Sequence, residues 1–166
     1  MHSKNMKLKE YIKLNKDQLD RFQKLNSQYL DFYHHPETCT PKIIINTPVE
    51  GLASWEERIN DPYVMLQTEL DSLRPHIEIE DDRVPSVRVQ FGTAQIAAAF
   101  GCDMHLSKDN LPAAANSILN KATDVHELKI PDNNAGWYCK LEEWTKIWKE
   151  NLPQGIHIQH PDIQSP

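Results

Sequence analysis

The sequence predicts an α/β fold, because segments with a strand pattern alternate with segments that have a helix pattern. Residues 43–47 form a β-branched run near two prolines, which is typical of a strand buried on both faces. Apolar residues alternate at 76–80, 87–91 and 156–160, which also predicts extended structure. We expect 43–47, 87–91 and 156–160 to be neighbours in one largely parallel sheet, since helices separate them.

Helix signals lie between these segments. Asn15 precedes a helix with apolar residues three and four apart, which should end near His34. Ser54 begins a capping box, and Asp61 with Pro62 begins a longer helix. Residues 93–100 are rich in alanine and stop at Gly101, and a last helix is expected at 141–152. No repeat or linker divides the chain, so we treat 1–166 as one piece.

Composition excludes several partners. The chain has 166 residues and a net charge of −6, with its 18 basic residues scattered, so no nucleic-acid partner is expected. No run of about 18 apolar residues occurs, and the first residues do not resemble a signal peptide, so we expect no membrane contact and a cytoplasmic location. Cys39, Cys102 and Cys139 are far apart and form no C-x-x-C pair, which favours reduced thiols.

Common catalytic and ligand motifs do not occur. The five glycines never take the spacing of a nucleotide-binding loop, and no G-x-S-x-G elbow is present. His157 and His160 would point to opposite faces of a strand, and Cys102 with His105 makes only two ligands. The sequence therefore predicts no metal site within this chain.

An acidic run precedes the second long strand pattern. Glu78, Glu80, Asp81 and Asp82 lead into Arg83 and the strand at 87–91. Such a run is usually a solvated loop. One of its carboxylates could instead lie at the mouth of a functional site, and both interpretations stay open.

Five stretches taken in order resemble the uroporphyrinogen decarboxylase-like superfamily, which also contains the corrinoid-dependent methyltransferases. They are IIINTP (43–48), WEERINDP (55–62), DDRVPSVRVQFGT (81–93), AFGC (99–102) and PDIQSP (161–166). The resemblance implies the N-terminal part of a TIM-type (β/α) barrel, with residues 1–40 as a helical extension and 41–166 as the first barrel strands and helices. A closed barrel takes about 250 residues and eight strands, so we expect a partial barrel.

The same resemblance supplies the candidate site residues, because barrels of this type place their chemistry at the ends of strands. Asp82 and Asp162 are the candidate catalytic carboxylates. Gln90, His160 and Gln164 are the candidate substrate-binding residues. The substrate implied is a tetrapyrrole or a methyl group carried by a corrinoid, so the activity would be that of a carboxy-lyase or a methyltransferase.

Departures from the family keep other functions open. The arginine-bearing R-Q-A-G-R segment of the decarboxylases is absent, and the His and Cys zinc ligands of the methyltransferases would belong to a missing C-terminal half. No cofactor is therefore expected within this chain, and corrinoid and zinc are the family alternative. A non-catalytic binding module and an inactive truncated fragment are the other two hypotheses. An open sheet edge at 156–160 would also favour self-association.

Overall fold

The structure, a computed structural model, describes residues 8–93 and 95–161. About 48% of these residues are helical, and the strands among them are short segments in two small sheets. The helices are α1 (Lys16–His34), α2 (Trp55–Asn60), α3 (Pro62–Glu78), α4 (Gln95–Ala99) and α5 (Tyr138–Asn151). Short 3-10 turns cover Leu8–Glu10, Pro36–Thr38 and Ala122–Glu127.

Local capping signals place the first three helices, as the sequence predicts. The side chain of Asn15 accepts from the Gln18 amide at 2.9 Å, and the Gln18 side chain accepts from the Asn15 amide at 3.0 Å. Ser54 and Glu57 form the same reciprocal pair before α2. Asp61 caps α3 by accepting from the Tyr63 amide at 2.8 Å. Each cap satisfies amides that the first helical turn cannot pair.

Two pairs of strands are present among the described residues. β1 (Ser86–Val87) lies parallel to β4 (His157–Ile158), with Ser86 opposite His157. β2 (Met104–His105) and β3 (Ala113–Ala114) form an antiparallel pair. The expected parallel pairing of the second and third strand segments is therefore confirmed for Val87 of the second and for His157 and Ile158 of the third, and Ser86 pairs just before the second segment.

The predicted partial TIM-type barrel is wrong. The β1–β4 pair is the whole of its sheet among the described residues, and neither sheet closes. The second side of β1 faces α3. The Arg88 amide points to the Glu69 carboxylate at 3.4 Å, and the Gln90 amide points to the Met65 sulfur at 3.4 Å. Side chains of α3 thus occupy the edge at which a barrel would place the preceding strand.

Two predicted strands are also wrong. Residues 43–47 are not a strand, and Ile43, Ile44 and Ile45 are 65%, 53% and 51% exposed, although burial on both faces was expected. Two carboxylates accept hydrogen bonds from the Ile43 and Ile45 amides, so one edge of this segment is bonded without a neighbouring strand. Most of 76–80 belongs to α3, which continues past Pro75 to Glu78.

The core forms where α3, the strand β1 with the residues after it, and α5 meet. Tryptophan and phenylalanine rings join these elements, with the Phe91 and Trp144 centroids 5.0 Å apart. The indole of Trp148 is fully buried and donates to the Pro62 carbonyl at 2.8 Å. This bond fixes α5 against the first turn of α3. The most deeply buried apolar residues of the cluster are Met65, Leu66, Leu70, Leu73, Val87, Val89, Phe91 and Trp148.

Candidate functional site

A groove of about 450 Å³ lies between α5 and the strand β4. One wall comes from α5 and the other from residues that follow the start of β4. The groove contains His160, one of the sequence-predicted substrate-binding residues. Its lining is Tyr138, Leu141, Glu142, Thr145, Lys146, Lys149, Ile158, Gln159, His160 and Pro161.

The two faces of α5 explain which side chains reach the groove. Trp144 and Trp148, four residues apart, are buried in the core. Tyr138, Glu142, Thr145 and Lys149 recur at steps of three and four and therefore share another face of the helix. The burial of the tryptophans thus orients the polar stripe toward the groove.

The groove carries two ammonium groups on the α5 wall. Lys146 lies 2.7 Å from Glu142, and both side chains are largely exposed. The hydrogen bond between them lowers the pKa of Glu142 and raises the pKa of Lys146, so both groups stay charged at neutral pH. Lys149 makes no ion pair within the described part of the chain. The wall can therefore bind an anionic group through Lys149, and also through Lys146, which is already paired with Glu142.

The β4 wall is tied to the sheet by its backbone and by Gln159. The Gln159 amide donates to the Val87 carbonyl at 2.8 Å, and its side-chain amide donates to the Ser86 hydroxyl at 2.5 Å. His160 follows directly and is exposed. An imidazole at this position can donate or accept a hydrogen bond in the groove.

Asp82, the predicted catalytic carboxylate, lies before β1, whereas His160 lies after β4. Because β1 and β4 are parallel, these two residues are at opposite ends of the strand pair. The Asp82 carboxylate accepts from the Ile43 amide at 2.8 Å, and its own amide donates to the Ile43 carbonyl at 2.9 Å. Asp82 therefore holds a backbone segment and does not line the groove.

Gln90 lies at the same end of the strand pair as His160. It follows β1, but it is not among the residues that line the groove. Its side-chain oxygen is buried and has no hydrogen-bond partner within the described part of the chain. Asp162 and Gln164, the other two predicted site residues, lie outside the described residues.

A buried polar network at the end of α3 is absent from the sequence-based predictions. Asp81 accepts from His76 at 2.6 Å, from the Ile45 amide at 2.9 Å and from the Arg83 amide at 3.0 Å. Arg83 also contacts the other ring nitrogen of His76 at 2.9 Å. Arg21 from α1 donates to the carbonyls of Glu80 and Asp81. The acidic run at 78–82 is therefore not simply a solvated loop.

Opposing effects set the pKa of Asp81. Burial of its side chain, which is 1% exposed, raises the pKa. The hydrogen bonds from His76, Ile45 and Arg83 favour the carboxylate more strongly, so the pKa lies below its ordinary value. Asp81 is thus an ionised anchor for the chain around Ile45.

Glu69 is a second carboxyl group that sequence reasoning missed. Burial is the main cause that raises its pKa, although the Arg88 amide and the charges of Arg58, Arg83 and Arg88 act in the opposite direction. It lies on α3 beside the residues that follow β1, away from the groove. Glu69 is half-buried, and its position in the middle of a helix pattern gave no signal of this partial burial.

Within 8–93 and 95–161, no group of three or more His, Cys, Asp and Glu side chains could hold a metal ion. No helix in those ranges is long and apolar enough to cross a membrane.

Comparisons with known proteins identify no relative of this chain. No family model, curated protein or solved structure matches this chain. The resemblance to the uroporphyrinogen decarboxylase-like superfamily therefore rests on the five quoted stretches alone.

Proposed function

We propose that this chain binds a carboxylate-bearing small molecule of the tetrapyrrole class in the groove between α5 and β4. The observation that carries the proposal is the placement of Lys146 and Lys149 opposite His160 in a groove of about 450 Å³. Small-molecule sites are typically clefts of about 300–1,000 Å³ in which a few polar groups fix the ligand. The groove has this size, and its lining combines the apolar Leu141, Ile158 and Pro161 with seven residues that carry polar side-chain atoms.

The charges favour carboxylates. The two ammonium groups of Lys146 and Lys149 outnumber the single carboxylate of Glu142, although the protein as a whole carries a net charge of −6. Uroporphyrinogen-type tetrapyrroles have acidic side chains, and the sequence resemblance points to that class. The groove is open, so one edge of a macrocycle can lie in it while the remainder stays in solvent.

Binding has more support than catalysis by Asp82. A general acid must reach the reacting group directly or through one water molecule. Asp82 is at the opposite end of the strand pair from His160, and its carboxylate accepts from a backbone amide. Corrinoids carry mainly carboxamide side chains, which two lysines would not select over carboxylates.

Titration with uroporphyrin, the oxidised form of uroporphyrinogen, tests the proposal. Quenching of the tryptophan emission, to which Trp144 and Trp148 on α5 contribute, reports binding. We expect Lys146→Glu combined with Lys149→Glu to lower the affinity about tenfold, since two exposed ion pairs of roughly 0.2–1 kcal/mol each become repulsions. Lys24→Glu, an exposed lysine on α1 outside the groove, is the matched control and should leave the affinity unchanged.

Two results would overturn the proposal. One is the absence of saturable uroporphyrin binding at low salt, where exposed charges attract most strongly. The other is an equal loss of affinity in the Lys24→Glu control, which would indicate nonspecific attraction. Hydroxocobalamin bound more tightly than uroporphyrin would instead favour a corrinoid ligand.

A further inference from the structure

The segment 42–46 is held from one side by two carboxylates. Asp82 exchanges two hydrogen bonds with the backbone of Ile43, and Asp81 accepts from the Ile45 amide at 2.9 Å. Contacts at residues i and i+2 are those of a strand whose one edge is occupied. The backbone groups of Ile44 lie between these contacts and point to the other edge.

That other edge is unpaired and apolar. No hydrogen bond within the described part of the chain engages the Ile44 amide. Ile43, Ile44 and Ile45 are all more than half exposed. Lys42, which could protect the edge, reaches back to the Gln28 side chain on α1 at 2.7 Å. Proteins usually protect such an edge with charge or cover it, because it can pair with another chain.

We propose that the edge at residues 42–46 pairs with the same edge of a second copy, antiparallel and centred on Ile44. Antiparallel pairing places Ile43 opposite Ile45 and Lys42 opposite Asn46. Parallel pairing in register would instead place Lys42 beside the Lys42 of the other chain, and like charges in that position are destabilising. The antiparallel arrangement is two-fold symmetric, as in most homodimers.

Prolines and the carboxylates limit the assembly to two chains. Pro41 has no amide hydrogen and lies opposite Thr47 in this register, so the shared ladder is restricted to the five residues 42–46. The inner edge of each copy is already bound by Asp81 and Asp82, so a third chain finds no free edge in the pair. Five residues bury less area than a standard interface, so we expect weak pairing with a Kd of about 10–100 µM.

Sedimentation equilibrium from about 1 to 300 µM, a range that spans such a Kd, tests the pairing. We expect a reversible monomer–dimer equilibrium that Ile44→Lys weakens at least tenfold. Ile130→Lys is the matched control, because Ile130 is 94% exposed and lies outside the edge. Circular dichroism should show that both variants remain folded. A monomer throughout the range, or an equal effect of the two substitutions, overturns the proposal. A dimer that Ile44→Lys leaves intact does so too, and would place the contact elsewhere, for instance at the edge of β4.

Oxidative cross-linking tests the register. In the proposed pairing the two Ile44 Cα atoms are about 5.5 Å apart, within the range a disulfide spans. The two Asn46 Cα atoms are about 14 Å apart, four residues along the strand. Ile44→Cys should therefore cross-link well above the wild-type background from Cys39, Cys102 and Cys139, and Asn46→Cys should not. Equal cross-linking of the two variants contradicts the antiparallel register.

Discussion

Replacing Asp81 by Asn tests whether the buried network at the end of α3 stabilises the fold. Asp81 accepts three hydrogen bonds, including one of 2.6 Å from His76, and its side chain is 1% exposed. Asparagine keeps one acceptor oxygen, but its NH₂ group would face some of the donors that now bind the carboxylate, and two donors cannot form a hydrogen bond with each other. Hydrogen bonds to a charged group contribute about 1.5–3 kcal/mol each, so the loss of one or two of them should cost about 3 kcal/mol.

This cost is large for a chain of this size. Domains have a free energy of unfolding of about 5–15 kcal/mol, so a loss of about 3 kcal/mol should lower Tm by roughly 6–12 °C. Asp82→Asn is the matched control, since Asp82 is only half-buried and accepts one amide hydrogen bond from Ile43. We expect it to cost less than about 1 kcal/mol, the net value of an ordinary hydrogen bond.

The dependence on pH separates an ionic effect from a steric one. The pKa of Asp81 in the folded protein lies below its ordinary value of 3.8, so its stabilising contribution is complete above that pH and is lost as the pH falls through the folded value. Urea unfolding should show the difference between wild type and Asp81→Asn at pH 7, and this difference should shrink below about pH 4. An Asp81→Asn protein within about 0.5 kcal/mol of wild type at pH 7, or equal to Asp82→Asn, would refute the reasoning.

Two further predictions concern Glu69 and Gly92. Burial raises the pKa of Glu69 above 4.5, so the folded protein loses stability as the pH rises from 4.5 through the raised value. Glu69→Gln should therefore raise Tm at pH 7 and not at pH 4. Glu56→Gln, at an exposed position, is the control and should leave Tm unchanged at both pH values. A Glu69→Gln protein with a lower Tm than wild type at pH 7 contradicts this reasoning. Gly92 has φ +81°, and a Cβ there would lie 2.4 Å from the Pro112 carbonyl oxygen. Gly92→Ala should cost about 2–3 kcal/mol in urea unfolding. Gly51→Ala, at φ +73° in open space, should cost about 1 kcal/mol, and equal costs would argue against the Pro112 contact.

The helix starts could be predicted because their signals are local. Asn15 with Gln18, and Ser54 with Glu57, satisfy amides within three residues, so the sequence alone contains both partners. Residues 43–47 show the opposite case. A β-branched run favours extended backbone, but the pattern does not tell whether the partner is a strand or a pair of carboxylates 36–39 residues away.

The candidate groove was predictable only in part. Sequence reasoning named His160, the last residue of the strand pattern at 156–160, as substrate-binding, and the structure places it in the groove. Lys146 and Lys149 were missed, although the spacing of Trp144 and Trp148 indicates which face of α5 is buried and therefore which side chains remain outside. The resemblance to barrel proteins directed attention to Asp82 instead. Its actual bonds join segments far apart in sequence, which no local pattern reveals.

The contacts of α3 with the residues after β1 block one side of the β1–β4 sheet, so a further strand could be added only beside β4. On one side, the Arg88 and Gln90 amides meet Glu69 and Met65, so a strand could enter there only if α3 moved away. The outer side of β4 has no such barrier from another described strand. Ile158 of β4 also lines the groove, so a bound ligand would contact the strand to which a new strand would be added. Ligand binding and sheet extension would therefore involve the same strand.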